Sequence, residues 1–324
     1  MPVVNRFILK KMAEFKLINR RDFIQRSAII CGGALVASSL PFHVFSKTGI
    51  KKIVILHTND VHSRIEPFPM DGGKHQGKGG FSARASLIEK IRKEEGSENV
   101  LLFDAGDILQ GTPYFNYFQG DIEFKLMSAM KYDATAIGNH DFDGGLENLA
   151  RLAAMSDFPL ICSNYEVNNT ALENLVLPYK IFDRGDLKIG VYSLGIELNG
   201  LVPDKLIKGI VCNEALQKAI YYEKLLHSKH KCDLIICLSH LGYAYKNDKI
   251  SDSIIAQNTK YTDLIIGGHT HTFMSKPELF PNKSGNSCCV FQTGWGGINL
   301  GRTDFEIEVG KKNKRITGNS LSVS

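Results

Sequence analysis

Within six residues, Gly138-Asn139-His140-Asp141 and the following Phe142-Asp143 hold an amide oxygen, an imidazole and two carboxylates. An amide oxygen can ligate a metal. An imidazole with a carboxylate three residues away can be held beside that metal as a general acid. Four other stretches offer related chemistry. Asp60 and His62 sit two apart, so in extended chain they share one face and make half of a metal site. Asp107 follows Gly106, whose freedom at positive φ lets the backbone turn and expose the carboxylate. His240 follows Leu238-Ser239, and His269 and His271 follow Gly267-Gly268, again two apart. Each cluster alone has a plain structural reading, as a polar turn, a helix cap or a hydrogen-bonded core histidine. Five of the ten histidines fall in these few places, which favours one common site.

The elements that must position them are short apolar runs. Residues 52–56, 100–103, 134–137, 234–238 and 264–266 read as buried strands, and each ends in one of the five clusters. Polar residues at strand carboxyl ends are where α/β sheets deliver their chemistry. Helical spacing is expected over 81–93, 122–130, 145–155, 214–228 and 252–257, with a further strand at 158–162. Residues 179–182 and 188–194 flank Asp183-Arg184-Gly185-Asp186 as a hairpin. From Cys288 the pattern turns to β, with strands at 289–293 and 302–309. The alternation predicts an α/β fold with largely parallel sheets covered by helices, made mixed by the hairpin-like strands.

The charge of the chain lies at one end. Residues 1–46 hold seven basic side chains (Arg6, Lys10, Lys11, Lys16, Arg20, Arg21, Arg26) and two acids (Glu14, Asp22), a balance of +5. The whole chain is also +5, so the remainder is neutral and has no basic excess for a nucleic-acid backbone. Arg20-Arg21 before Phe23, then a mildly apolar run over 27–40, resembles a twin-arginine signal peptide. That run is shorter than the ~20 apolar residues of a membrane span. The expectation is folded export by the twin-arginine machinery to the periplasm, with membrane anchoring if the leader is kept. Of seven cysteines, six follow this leader. They have no zinc-site spacing and read mostly as small core residues.

The order Asp-x-His, Gly-Asp, Gly-Asn-His-Asp, His, Gly-His-x-His resembles the calcineurin-like metallophosphoesterases. Longer words narrow the likeness to the 5′-nucleotidase and UDP-sugar hydrolase branch. They are Thr58-Asn59-Asp60-Val61-His62-Ser63, Gly79-Gly80-Phe81, Asp104-Ala105-Gly106-Asp107, Gly111-Thr112, Leu238-Ser239-His240-Leu241-Gly242 and Gln292-Thr293-Gly294. The resemblance implies a four-layer α-β-β-α sandwich of two mixed sheets flanked by helices. It also implies two divalent metal ions. Asp60, His62 and His271 would hold one, Asn139, His240 and His269 the other, and Asp107 would bridge them. A ligand set of nitrogen and oxygen suits Zn, Mn, Fe or Co and selects none of them. Such a pair can hold a hydroxide for in-line attack on phosphorus. His140 would donate a proton to the leaving group or stabilise phosphoryl charge, oriented by Asp143, and Asn139 would also touch substrate.

The implied organisation is a leader over 1–46, a catalytic domain over 47–310 and a loose polar tail over 311–324. Members of the branch carry a further domain that stacks the nucleobase between aromatics, so a separate protein supplying that domain is one expected partner. A small phosphorylated substrate, a nucleotide in chemistry, is the other. Two local substitutes for base recognition are the aromatic run Tyr114-Phe115-Asn116-Tyr117-Phe118, read first as a packed turn-to-helix segment, and the 71–80 loop with Lys74 and Lys78. Alternative functions are a cyclic-nucleotide phosphodiesterase, a thiosulfohydrolase-like enzyme, or a non-catalytic metal-holding subunit of a two-protein complex.

Overall fold

The strand sequences are apolar without interruption because both faces of each central strand are covered. In the computed structural model, which describes residues 49–308 and 314–324, two sheets pack face to face. The expected leader over 1–46 lies outside the described residues. One sheet has seven strands in the order β15 (Lys314–Ser322), β14 (Asn299–Glu308), β1 (Ile50–Thr58), β2 (Val100–Asp104), β3 (Ala134–Thr135), β4 (Leu160–Ile161) and β6 (Val176–Leu177). The other has six, in the order β12 (Glu278–Pro281), β13 (Ser287–Phe291), β11 (Leu264–Gly267), β10 (Leu234–Ser239), β8 (Leu187–Leu194) and β7 (Tyr179–Arg184). A small separate pair joins β5 (Tyr165–Glu166) to β9 (Val211–Cys212).

Alternation assigns the layers. On β1, Ile53 and Ile55 enter the core between the sheets, whereas Val54 and Leu56 face outward. On β10, Leu234, Ile236 and Leu238 point inward and Ile235 and Cys237 outward. The outer face of the first sheet is covered by α1 (Phe81–Glu95), α3 (Asp121–Ala129) and α4 (Leu146–Met155), through Ile88, Met127 and Leu149 among others. The outer face of the second is covered by α5 (Ala215–Lys224) and α6 (Asp252–Asn258), through Ala219 and Ile255. The layers are thus helix, sheet, sheet, helix, with α2 (Pro113–Phe118) following the β2 turn. Both sheets are mixed. β1, β2, β3, β4 and β6 run parallel, while β14 is antiparallel to β1. In the second sheet β8, β10, β11 and β13 are parallel, and β7 and β12 are antiparallel edges. The hairpin expected around Gly185 is present as β7 and β8.

The tail differs from expectation. Residues 314–322 form β15, which pairs antiparallel with β14 from Ile307↔Lys314 to Asn299↔Ser322. Ile316 packs against the core between the sheets, and Val323 is buried. The segment is an edge strand with polar residues on its open face, so it lacks the apolar run that marks a central strand. All six cysteines among the described residues are free, and five are buried. Among the described residues no helix is long and apolar enough to cross a membrane.

Candidate metal centre

Five parallel strands deliver their following residues to one place. Asp60 and His62 come after β1, Asp107 after β2, Asn139 and His140 after β3, His240 after β10, and His269 and His271 after β11. The backbone there is not ordinary. Asp60, His62, Asp107, His269 and His271 all have positive φ, between 49° and 70°, a region few residues with a Cβ occupy. The turns hold one another: Asp60 N donates to Gly106 O at 2.9 Å and His62 N to Asp107 O at 3.0 Å. They also approach too closely for side chains. A Cβ on Gly138 would lie 2.2 Å from Asp107 Oδ1, and one on Gly106 would lie 2.5 Å from Gly138 N.

Two groups of donor atoms result, Asp60 with His62 and His271, and Asp107 with His240 and His269. In the first, His271 Nε2 is 3.2 Å from Asp60 Oδ1 and 3.1 Å from His62 Nε2. In the second, His240 Nε2 is 3.0 Å from Asp107 Oδ2. Asp107 lies between the groups, since the same Oδ2 is 3.9 Å from His62 Nε2. Asn139 Oδ1 is 2.9 Å from His269 Nδ1. The structure therefore brings together all seven residues that the resemblance assigns to metal.

The donor chemistry fits divalent ions. Nδ1 of His240 lies 2.7 Å from the carbonyl of Ala105, and Nδ1 of His62 lies 3.3 Å from that of Leu109. A backbone carbonyl can only accept, so these contacts direct each Nδ1–H outward and leave Nε2 facing the centre. His240 Nε2 is buried and lacks an aligned hydrogen-bond partner. Burial pulls the His240 imidazolium down, but the Asp107 and Asp60 carboxylates outweigh it and raise its pKa to about 10. His269 is lowered to about 4 by burial and by the charge on His240. Without ions, the buried carboxylates are thus balanced by a proton on His240, and a divalent ion at Nε2 would displace it.

His140 stands at the solvent side. Its Nδ1 is 2.9 Å from Asp143 Oδ2, and its ring is 5.4 Å from that of His62, centre to centre. The Asp143 hydrogen bond raises its pKa against the effect of partial burial. The His140 and His271 side chains are each 39% exposed, whereas Asp60 is fully buried, so the centre opens between these two histidines.

Several residues that hold the ligands had no assigned role in the sequence reading. Asp141 accepts hydrogen bonds from Gly138 N (2.8 Å), Ile108 N (2.9 Å), Asp107 N (3.1 Å) and Leu109 N (3.2 Å), tying the β2 turn to the β3 turn. Asn59 Nδ2 donates to Asp60 Oδ2 at 2.6 Å and to Gly294 O at 2.7 Å. Gln292 Nε2 donates to Gly268 O at 2.7 Å, and its Oε1 accepts from Thr272 N at 2.9 Å. Asp252 links the same network to Ser239, next to His240. Asp141 and Gln292 stand inside recognisable motif words, which was the available signal. Of the aromatic run on α2, Phe115 is buried as expected for a packed segment, but Tyr117 is 81% exposed. In the 71–80 loop Lys74 is exposed, while His75 stacks on Phe273.

The calcineurin-like phosphoesterase model matches residues 53–273, a span that contains all seven ligand candidates together with His140 and Asp143. The chain belongs to that family. A snake venom 5′-nucleotidase from Naja atra is 37% identical over 235 residues, 70% of this chain and 42% of its own length. A 5′-nucleotidase from Vibrio cholerae is 31% identical over 309 residues, 89% of this chain and 54% of its own. The crystal structure of a 5′-nucleotidase precursor from Thermus thermophilus superposes with a TM-score of 0.74 at 26% identity, covering 84% of this chain and 54% of that one. This chain therefore spans about half the length of these relatives, or less.

Proposed function

We propose that the protein hydrolyses a small phosphate monoester, a nucleoside 5′-monophosphate or a close relative, at a centre of two divalent ions. The observation that carries this reading is the pairing of two metal-ligating groups with a His140–Asp143 dyad at their open edge. Asp60, His62 and His271 would hold one ion, and Asn139, His240 and His269 the other, with Asp107 shared. When bound, the ions supply Lewis acidity, which activates water and neutralises phosphoryl charge.

The chain's own groups do the rest. Asp143 accepts from His140 Nδ1–H, so the proton on His140 Nε2 is the one presented to the leaving oxygen. The Asp143 hydrogen bond raises the His140 pKa and so favours the protonated ring. Asn139 offers an amide N–H to a phosphoryl oxygen while its Oδ1 faces the His269 side. Asp141, Asn59 and Gln292 fix the ligand turns before substrate arrives. The nucleotide as substrate is supported by the 5′-nucleotidase relatives. The same reading has Arg20-Arg21 direct export of the folded chain by the twin-arginine route.

The test is His140→Asn in the purified protein loaded with Zn or Mn. Hydrolysis of AMP should fall about 10²–10⁴-fold, the range of general acid catalysis. Metal content, measured by elemental analysis, should match the parent. A parent protein that turns over neither AMP nor a generic aryl phosphate would instead favour the non-catalytic metal-holding reading.

A further inference from the structure

Trp295, the single tryptophan of the chain, sits in Gly294-Trp295-Gly296-Gly297, directly beside the metal centre. Its ring stacks on His271, with centres 5.9 Å apart and planes at 16°. The backbone next to it is tied to the ligands, since Gly296 N donates to Asp60 O at 2.7 Å. Glycines on either side let two more rings close in. A Cβ on Gly294 would lie 2.3 Å from the Phe273 ring, and one on Gly296 would lie 3.0 Å from Phe68. Phe68 meets Trp295 edge-on at 5.3 Å, and Phe273 stacks on His75 at 5.8 Å and 10°. Phe273 is 46% exposed, and Trp295, Phe68 and His75 are partly exposed. The Arg64 guanidinium covers Phe68 at 4.3 Å.

A soluble protein gains nothing in hydration by leaving several rings partly bare at the edge of a charged cluster. Trp295 stands against the ligand candidate His271, and Phe68, His75 and Phe273 continue outward from it as one cluster of rings. We infer that Trp295, Phe68, His75 and Phe273 form the wall that recognises the planar base of a phosphorylated nucleoside. This rests on the nucleotide reading above, and it adds which part of the chain selects the base. Aromatic stacking suits that task because every base has a π face, so the wall would favour a base over none and discriminate weakly among bases.

The experiment uses the emission of Trp295, which has no competing tryptophan in the chain. The full protein is titrated with adenosine, AMP and ribose 5-phosphate, both metal-free and loaded with Zn, which is redox-inert. Adenosine and AMP should quench the emission saturably, and ribose 5-phosphate should not. Phe273→Leu keeps an apolar contact on Gly294 but removes the π face. In that variant the ratio of kcat/KM for AMP to that for ribose 5-phosphate should fall about tenfold, within the range of one stacked base. Equal responses to adenosine and ribose 5-phosphate, or an unchanged ratio in Phe273→Leu, would overturn the wall even if AMP is hydrolysed. If neither ester is hydrolysed the proposed activity fails, and saturable quenching by adenosine still decides for or against the wall.

Discussion

Replacing Gln292 with alanine isolates the clamp on the last ligand turn. Gln292 Oε1 accepts from Thr272 N and Thr270 Oγ1, at 2.9 and 3.2 Å, and its Nε2 donates to Gly268 O at 2.7 Å. The turn so held carries His269 at φ 70° and His271 at φ 52°. A left-handed conformation costs a residue with a Cβ about 1–2 kcal/mol, so the two histidines store about 2–4 kcal/mol. Three hydrogen bonds contribute a net of about 1.5–4.5 kcal/mol. The two terms are of the same size, so without the clamp the turn relaxes and the ions must order it. The expected cost is about 10–100-fold in metal affinity, the usual range for losing a group that orients ligands. Zinc affinity would be read by competition with a chromophoric chelator. Thermal melts with and without zinc give a second reading, because stabilisation by a ligand shrinks as its dissociation constant grows. Unchanged zinc affinity in Gln292→Ala, with only a lower melting temperature for the metal-free protein, would refute the reasoning and leave the clamp as packing alone.

Asp104 and Val323 give two independent tests of stability. Burial raises the Asp104 carboxyl to about 7, against hydrogen bonds from Thr58 and Gly106 that favour the anion. Its folded-state value lies above the unfolded one, so it favours the fold below about pH 4, and that advantage is lost as pH rises towards 7. Asp104→Asn keeps partners for Thr58 and Gly106 and should flatten stability between pH 4 and 7, raising it at pH 8 by at most about 4 kcal/mol. Urea unfolding of the metal-free protein across that range checks it, and an unaltered pH dependence would count against it. Ending the chain after Ser322 removes Val323, which is 1% exposed, bonds Ile298 O and accepts from Gly79 N. The loss should be about 3–4 kcal/mol, seen as a lower urea midpoint at constant m-value; an unmoved midpoint would contradict it.

The ligand residues were legible because each ends an apolar run, and a run of four or five buried residues is a local signal. The helices over α1 and α4 were legible for the same kind of reason. β15 was not, because an edge strand carries few apolar residues, here Ile316 and Leu321 with Val323 just beyond it. Asp252 and Gln292 lie forty residues apart, and their joint action exists only once α6 and the end of β13 meet. The aromatic run on α2 stood out in the sequence, yet the rings that cluster beside His271 come from positions 68, 75, 273 and 295, which no window along the chain joins. Sequence shows the parts that a single strand delivers and hides those assembled from several.

The place of β1 has a consequence in time. On one side it pairs with β2, made some fifty residues later, but on the other it pairs with β14, with Ile50 opposite Glu308. At about 5–20 residues per second, synthesis of the intervening chain takes on the order of 13–50 s. Through that interval a nascent chain carries Asp60, His62, Asp107 and Asn139 on an unfinished sheet, while His240, His269 and His271 are still to come. Such a chain offers a stray ion few nitrogen donors. A metal centre of the kind proposed would be complete only in the finished polypeptide, so it would take its ions in the compartment where folding ends.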